Sequence, residues 1–208
     1  MNTNLLRKIQ IKHLLYLCIF CIGAALRFAA IYKNPITDQE ASILLGVLKN
    51  TPEIHFSPLV SVIAKVAFFF FGQSVFTARL GSALAGSLIL LAPWLYEKYW
   101  GERECITLSI LLAIDPFLIS NAIQLHGNSY ALLFMLIAIF MFMKDKFLLL
   151  IISLSMLLLS GRYAVPLSLI IFAITYLKIF AASNEKQKIN DFFRENGQKS
   201  VYIRKFAG

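Results

Sequence analysis

The chain has 208 residues, of which 59% are hydrophobic and only 15% are charged. Soluble domains have about 25% charged residues, and a chain of this size buries only about 70% of its unfolded surface. The composition therefore argues against a soluble enzyme, a disordered protein or a disulfide scaffold, and predicts a lipid bilayer as partner. The net charge is +9. We interpret the basic residues as ones that orient the membrane helices, rather than as a nucleic-acid binding surface.

The first apolar run, at 14–32, follows the basic residues Arg7, Lys8 and Lys12. We interpret it as a retained signal-anchor helix; the alternative, a signal peptide, fits less well because the run is long and no clean cleavage site follows it. Five later runs, at 80–96, 105–120, 129–143, 147–160 and 163–180, are also predicted spans. Several are shorter than the roughly 20 residues of an upright helix, so flanking residues must complete them. The predicted fold is all-α and polytopic, with six transmembrane helices.

The run at 58–71 is treated separately because its 14 residues reach only about 21 Å as a helix. Lys65 lies in its middle. The length and the charge favour a juxtamembrane or interfacial helix, within a first outer loop at 33–78, over a seventh span.

Loop charges favour six spans with the N-terminus inside, because 14 basic residues then lie inside and six outside. Seven spans from the same start would put the basic tail outside. Seven spans with the N-terminus outside remain an alternative. We therefore predict a protein of the bacterial or archaeal plasma membrane with both termini in the cytoplasm. Residues 1–182 form the predicted membrane module, and residues 183–208 form a polar cytoplasmic tail.

Two carboxylates, Asp38 and Glu40, follow the first span closely. If a helix begins near Thr37, they lie about 200° apart around it, so only one is expected to face a site. A carboxylate beside the membrane can act as a general base. The structural alternative is a helix start, with Thr37 or Asp38 as the N-cap and Glu40 in the first turn.

Arg79 and Arg162 lie on the outer side in the six-span prediction, where basic residues are disfavoured. Their guanidinium groups could bind a lipid phosphate, or simply extend to phospholipid head groups. His55 is either a polar residue at the water boundary or a site residue. Asp115 lies inside an apolar run, where an acid is unusual. His126 and Asn128 lie in a second outer loop predicted at 120–128. The cysteines have no zinc-binding spacing, so no metal site is predicted.

The order of several short motifs is the feature that resembles a known family. The motifs are Leu26-Arg27-Phe28, Asp38-Gln39-Glu40-Ala41, His55-Phe56-Ser57-Pro58-Leu59, Phe71-Gly72-Gln73-Ser74, Arg79-Leu80-Gly81-Ser82-Ala83, Pro116 and Tyr130-Ala131-Leu132. In this order they resemble the N-terminal half of GT-C glycosyltransferases of the protein O-mannosyltransferase and aminoarabinose-transferase type. The resemblance covers about 26–180 and also favours an interfacial helix at 58–71.

The resemblance implies an enzyme that transfers a sugar from a polyprenyl-phosphate carrier to an acceptor on the non-cytoplasmic face. It implies that an acid of the first loop, Asp38 or Glu40, is the general base. It implies that Arg79 binds the carrier phosphate, with Arg162, His55 and Lys65 as further candidates. The lipid-linked sugar is then a substrate, and a divalent metal is possible but not indicated.

Two other functions are kept as alternatives. Gln39 separates the two acids, and the chain corresponds to half of such an enzyme. It is therefore expected to be a truncated enzyme, one half of a split enzyme that works with a membrane subunit supplying the other half, or a non-catalytic assembly or binding subunit. A small transporter is the third possibility, but Asp115 is the only acid inside a run and no broken helix pair marks a site at the membrane midplane.

Overall fold

A computed structural model of the chain describes residues 3–49, 57–161 and 164–176, with the side chains of the first helix described from Lys12 onward. All regular secondary structure in these ranges is helical. The helices are α1 (Thr3–Ile31), α2 (Asp38–Lys49), α3 (Pro58–Phe71), α4 (Val75–Leu88), α5 (Ala92–Trp100), α6 (Glu102–Ile114), α7 (Pro116–Ile123), α8 (Asn128–Met143), α9 (Phe147–Leu159) and α10 (Ala164–Tyr176). A 3-10 turn, Ile89–Leu91, joins α4 to α5.

The chain divides into two compact units, 1–168 and 169–208. In the first unit, α4 is the central helix and packs against α1, α3, α7 and α8. Its small residues permit this close packing. At Gly86, for example, an added Cβ would collide with the side chain of Ala122 on α7. The second unit is described only at 169–176, which are helical.

Two of the described helical segments are long and apolar enough to cross a membrane, Lys12–Ile31 and Val75–Trp100. A third is added if the bent pair α6 and α7 forms one span. The helices α3, α8, α9 and α10 are apolar but have only 10–17 residues each. In the described residues the fold is thus all-helical, with two or three helices long and apolar enough to cross a membrane, whereas the number six stays a prediction.

The helix predicted at 58–71 is confirmed with the same bounds. Ser57 caps it, because its Oγ accepts a hydrogen bond from the backbone N–H of Val60. Pro58 occupies the first turn, where its missing N–H costs nothing. Phe69, Phe70 and Phe71 are exposed at the other end of the helix, and Lys65 is exposed between these two ends.

The run at 105–120, which was predicted as a single span, contains a break. Within the run at 105–120, α6 ends at Ile114 and α7 begins at Pro116, with a 57° bend between them. Proline supplies no N–H and disfavours a helical residue before it, so the helix breaks here. Because α7 continues to Ile123, the second loop is shorter than predicted and covers only 124–127.

Candidate functional site

The guanidinium of Arg79 is buried and uses all five of its N–H donors within the protein. Nε and Nη2 donate to the two carboxylate oxygens of Glu40, at 3.0 and 2.6 Å. Nη1 donates to the carbonyl oxygens of Ile31 and Asn34, and Nη2 also donates to that of Pro35, at 2.9–3.0 Å. Arg79 therefore joins the end of α1, the segment that follows it and the start of α2.

Glu40 is equally engaged and is 1% exposed. Its Oε1 accepts a hydrogen bond from the backbone N–H of Leu125 at 2.7 Å, in addition to the one from Arg79. Its Oε2 accepts from the backbone N–H of Thr37, while Thr37 Oγ1 accepts from the backbone N–H of Glu40. These reciprocal bonds form a capping box at the start of α2. The Glu40 carboxylate thus fixes the start of α2 to the segment between α7 and α8.

The electrostatic balance at Glu40 favours the ionised form. Burial by itself would raise the pKa of this carboxyl group, because it removes water from the charge. The hydrogen bonds from Arg79, Leu125 and Thr37, together with the positive charge of Arg79, outweigh burial and lower the pKa below its ordinary value. A carboxylate held in this state is a poor proton acceptor, so the geometry gives Glu40 a structural role.

Asp38 is placed differently, although it is only two residues away. It lies in the first turn of α2 and is exposed, whereas Glu40 is buried. This agrees with the expected separation of about 200° around the helix. Of the two candidate acids, Asp38 is the one that a bound molecule can reach.

A cavity of about 380 Å³ lies next to the Glu40–Arg79 pair. Residues of α2, the start of α3, the segment between α7 and α8, and α8 contribute to it. The two residues that follow α9 and the first turn of α10 complete the lining. Its lining residues are Gln39, Ile43, Ser57, Val60, Leu125, His126, Gly127, Asn128, Ala131, Leu132, Met135, Ser160, Gly161, Ala164 and Leu167. The volume is at the lower end of the range for small-molecule sites.

Gln39 of α2 and His126, in the segment between α7 and α8, lie beside each other in the lining of this cavity. Gln39 Oε1 lies 3.1 Å from His126 Nε2, within hydrogen-bond distance. Their backbones are already close, because Glu40 accepts a hydrogen bond from Leu125, the neighbour of His126. Asn128 begins α8, and its Nδ2 donates a hydrogen bond to Oδ1 of Asn121 at 3.4 Å. Of the predicted candidates, His126 and Asn128 therefore line the cavity.

The end of α9 closes the cavity through backbone contacts. Ser57 Oγ donates a hydrogen bond to the carbonyl oxygen of Leu159 at 2.9 Å. Gly127 lies against the carbonyl oxygen of Ser160, so closely that an added Cβ would collide with it. Glycine is therefore required at position 127 by this close approach, and the three chain segments have fixed positions around the cavity.

The remaining predicted candidates are not part of this arrangement. Lys65 is exposed on α3 and does not line the cavity. His55 and Arg162 lie outside the described residues. Asp115 is the N-cap of α7, where its Oδ1 accepts a hydrogen bond from the backbone N–H of Phe117 at 2.8 Å. Within the described part of the chain, no group of three His, Cys, Asp or Glu side chains is close enough to hold a metal ion.

Sequence reasoning did not single out the cavity residues Gln39, Ser57 and Ser160. Gln39 stands in the acidic motif but was considered only as an interruption of it. The pattern Thr37-x-x-Glu40 is a recognisable capping-box signal, and it indicates that Glu40 faces its own helix start. No local signal links Gln39 to His126, which is 87 residues away.

Comparison with known proteins gives no further assignment. Neither the protein-family models nor the curated proteins nor the solved structures contain a match to this chain.

Proposed function

We propose that this chain is a membrane glycosyltransferase, or its N-terminal module, that transfers a sugar from a polyprenyl-phosphate carrier to an acceptor on the non-cytoplasmic face. The observation that carries the proposal is the cavity of about 380 Å³ between the two outer loops. Catalytic and binding sites are commonly concave, with mostly apolar walls and a few polar groups. The order of motifs that resembles GT-C enzymes supplies the reaction type.

The proposal includes six spans. Four of the spans are single helical segments, namely α1, Val75–Trp100, α8 and α9. The other two are the bent pair α6–α7, counted as one span, and α10. In this arrangement α3 lies along the outer face of the membrane, with its exposed phenylalanines in the lipid and Lys65 at the head groups. The cavity then opens at the outer interface, where a lipid-linked donor would present its head group.

The roles of the residues follow from their contacts. Asp38 is the proposed general base, because it is exposed and adjacent in sequence to the cavity residue Gln39. Glu40 and Arg79 hold the loops in position, since their hydrogen-bonding groups are used by each other and by the backbone. The carrier phosphate is therefore assigned to Arg162 and His55, which are close in sequence to the cavity residues Gly161 and Ser57.

The test is sugar transfer from a radiolabelled polyprenyl-phosphate hexose in membranes that contain the chain. The substitution Asp38→Asn is expected to reduce transfer by about 10²–10⁴-fold, the usual contribution of a general base. Glu104→Gln is the matched control, because Glu104 is an exposed acid in the first turn of α6. Full transfer by the Asp38→Asn variant contradicts the proposed role of Asp38, and no transfer by the unmodified chain contradicts the enzyme.

A second candidate is a non-catalytic assembly or binding subunit with the same fold. The complete use of the five Arg79 donors favours it, because the residue expected to bind the carrier phosphate is occupied by Glu40 and three carbonyls. This candidate predicts that the chain alone transfers no sugar and that it co-purifies with a second membrane protein. Addition of that protein would then restore transfer.

A further inference from the structure

We propose that an apolar groove formed by α5, α6 and α8 binds one acyl chain of an anionic phospholipid, whose head group is bound by Lys144. The groove has a volume of about 150 Å³. It shares Leu132 with the cavity described above, but none of the polar side chains of that cavity line it. The inference concerns a separate lipid site and does not depend on sugar transfer.

The groove lies where two helices leave space beside a third. The helix α5 packs against both α6 and α8, whereas α6 and α8 have little contact with each other. Leu108 and Leu112 of α6 and Leu136 of α8 line the space between them, and each is only half-buried. The groove runs beside the second half of Val75–Trp100, a segment long and apolar enough to cross a membrane. It is therefore open at the depth of the lipid chains.

The chemistry of the groove suits a hydrocarbon chain. Its described lining residues are aliphatic except for Tyr96 and Trp100. The Tyr96 hydroxyl group is already used, because it donates a hydrogen bond to the carbonyl oxygen of Leu136 at 2.6 Å. Apolar spaces of this kind do not hold water. A hydrocarbon chain therefore fills the groove without replacing any hydrogen bond, and its burial is favourable.

Aromatic rings connect the groove to the ammonium group of Lys144. Trp100 stacks on Tyr96 with ring centroids 5.2 Å apart, and Phe140 packs edge-on against Tyr96 at 5.7 Å. Nζ of Lys144 lies 5.5 Å from the ring centroid of Phe140 and 5.9 Å from that of Tyr99, within the range of a cation–π interaction. The rings therefore hold a positive charge beside the end of the groove.

This end of the groove has the chemistry of a membrane interface. Trp100 is exposed, and a tryptophan at such a boundary places its ring in hydrocarbon and its N–H at the head groups. In the proposed topology this end faces the cytoplasm, where the leaflet carries anionic lipids and basic pockets between helices bind their head groups.

The choice of lipid is assigned to Lys144 and not to the overall charge. Lys12 and Glu97 form an ion pair nearby. The other described charged residues at the α5–α6 and α8–α9 junctions exceed neutrality by one positive charge, a small excess. These residues are Lys98, Glu102, Arg103, Glu104, Lys144, Asp145 and Lys146.

The experiment is quenching of Trp100 fluorescence by phospholipids with brominated acyl chains, in phosphatidylcholine vesicles that contain the full chain. Trp94→Phe leaves Trp100 as the single tryptophan. Brominated phosphatidylglycerol is added as a small, increasing fraction of the lipid, and brominated phosphatidylcholine with the same acyl chains is the comparison. We expect saturable quenching by phosphatidylglycerol, with an apparent affinity about fivefold higher than that of phosphatidylcholine, the usual effect of one lysine near a membrane surface.

Two pairs of variants assign the quenching to this site. Leu108→Phe adds volume inside the groove and is expected to remove the saturable component. Leu111→Phe is its control, because Leu111 is exposed on the same helix and does not line the groove. Lys144→Gln is expected to lower the affinity for phosphatidylglycerol to that for phosphatidylcholine. Lys33→Gln, an exposed lysine after the end of α1, is the control and should leave the preference unchanged.

Equal, linear quenching by the two brominated lipids overturns the inference, because contact with the bulk bilayer produces that result. Saturable quenching that persists in a folded Leu108→Phe variant overturns the groove as the site of the acyl chain. If Leu108→Phe unfolds, Lys144→Gln decides the matter, and an unchanged preference for phosphatidylglycerol overturns the inference. No quenching by either lipid also overturns it, since another part of the chain or a second protein then covers the groove.

Discussion

Arg27 on α1 donates a hydrogen bond from Nη2 to the carbonyl oxygen of Leu112 on α6, across 3.0 Å. Leu112 is four residues before Pro116, so the N–H that would satisfy this carbonyl in a continuous helix does not exist. On the other side of the break, Asp115 caps the first turn of α7. Side chains thus form hydrogen bonds with the backbone groups that the bend leaves without partners on both sides. The bend therefore has a structural explanation that does not require a transport site.

Arg27 is also completely buried and donates from Nη1 to its own helix, at the carbonyl of Gly23. We predict that Arg27→Met lowers the free energy of unfolding by about 1–3 kcal/mol, the cost of leaving a buried acceptor unsatisfied. Pro116→Ala restores an N–H for Leu112, so the loss should be smaller in that background. The coupling is measured by thermal or denaturant unfolding, in detergent, of the unmodified chain, the two single variants and the double variant. Strictly additive changes would contradict the capping role.

The Glu40–Arg79 pair gives a stability prediction that also tests its role. Glu40→Gln or Arg79→Gln leaves one buried charge without its partner, so each should cost about 3–5 kcal/mol of unfolding free energy. The double substitution Glu40→Met with Arg79→Met should cost less than the sum of the two single changes. A folded Arg79→Gln variant of normal stability that has lost sugar transfer would instead support a phosphate-binding role for Arg79.

The lowered pKa of Glu40 predicts a dependence of stability on pH. Because the carboxyl group has a lower pKa in the folded chain than in the unfolded one, its contribution to stability is present above the unfolded value of about 4.3. It is lost as the pH falls through the folded value. Unfolding temperatures measured between neutral pH and about pH 3 should therefore fall more steeply for the unmodified chain than for Glu40→Gln. Parallel pH curves would show that other carboxylates dominate.

Gly127 provides a test of how the cavity is closed. Gly127→Ala places a Cβ against the carbonyl oxygen of Ser160, and the collision should cost about 1–3 kcal/mol, as overpacking generally does. It should also reduce sugar transfer, because the end of α9 must move away from the cavity. Ser155→Ala on the exposed face of α9 is the control. An unchanged Gly127→Ala variant would mean that this contact is adjustable.

Membrane topology is tested by cysteine labelling. The native cysteines Cys18, Cys21 and Cys105 are first replaced by alanine, and single cysteines are then placed at Asp38 and at Ser200 in the tail. With six spans and cytoplasmic termini, an impermeant maleimide should label position 38 in intact cells and position 200 only after permeabilisation. Cytoplasmic labelling of position 38 would contradict both the topology and the proposed transferase.

Local chemistry allowed much of the fold to be predicted. Hydrophobic run lengths indicated the helices, and α3 was predicted with its observed bounds because Pro58 and Gly72 mark its two ends. The position of Thr37 near the start of α2, and the opposite environments of Asp38 and Glu40, follow from helical geometry alone. Such signals act within one or two turns of the chain, so a sequence displays them directly.

The partners of these residues were decided by tertiary structure. The sequence presents Glu40 and Arg79 as two separate candidates for chemistry, and only the tertiary structure brings them together as one ion pair. The same holds for Gln39 with His126 and for Arg27 with Leu112, which are 87 and 85 residues apart. A hydrogen bond depends on position within a few tenths of an ångström. Composition and spacing define the helices, but only their packing determines which polar groups meet.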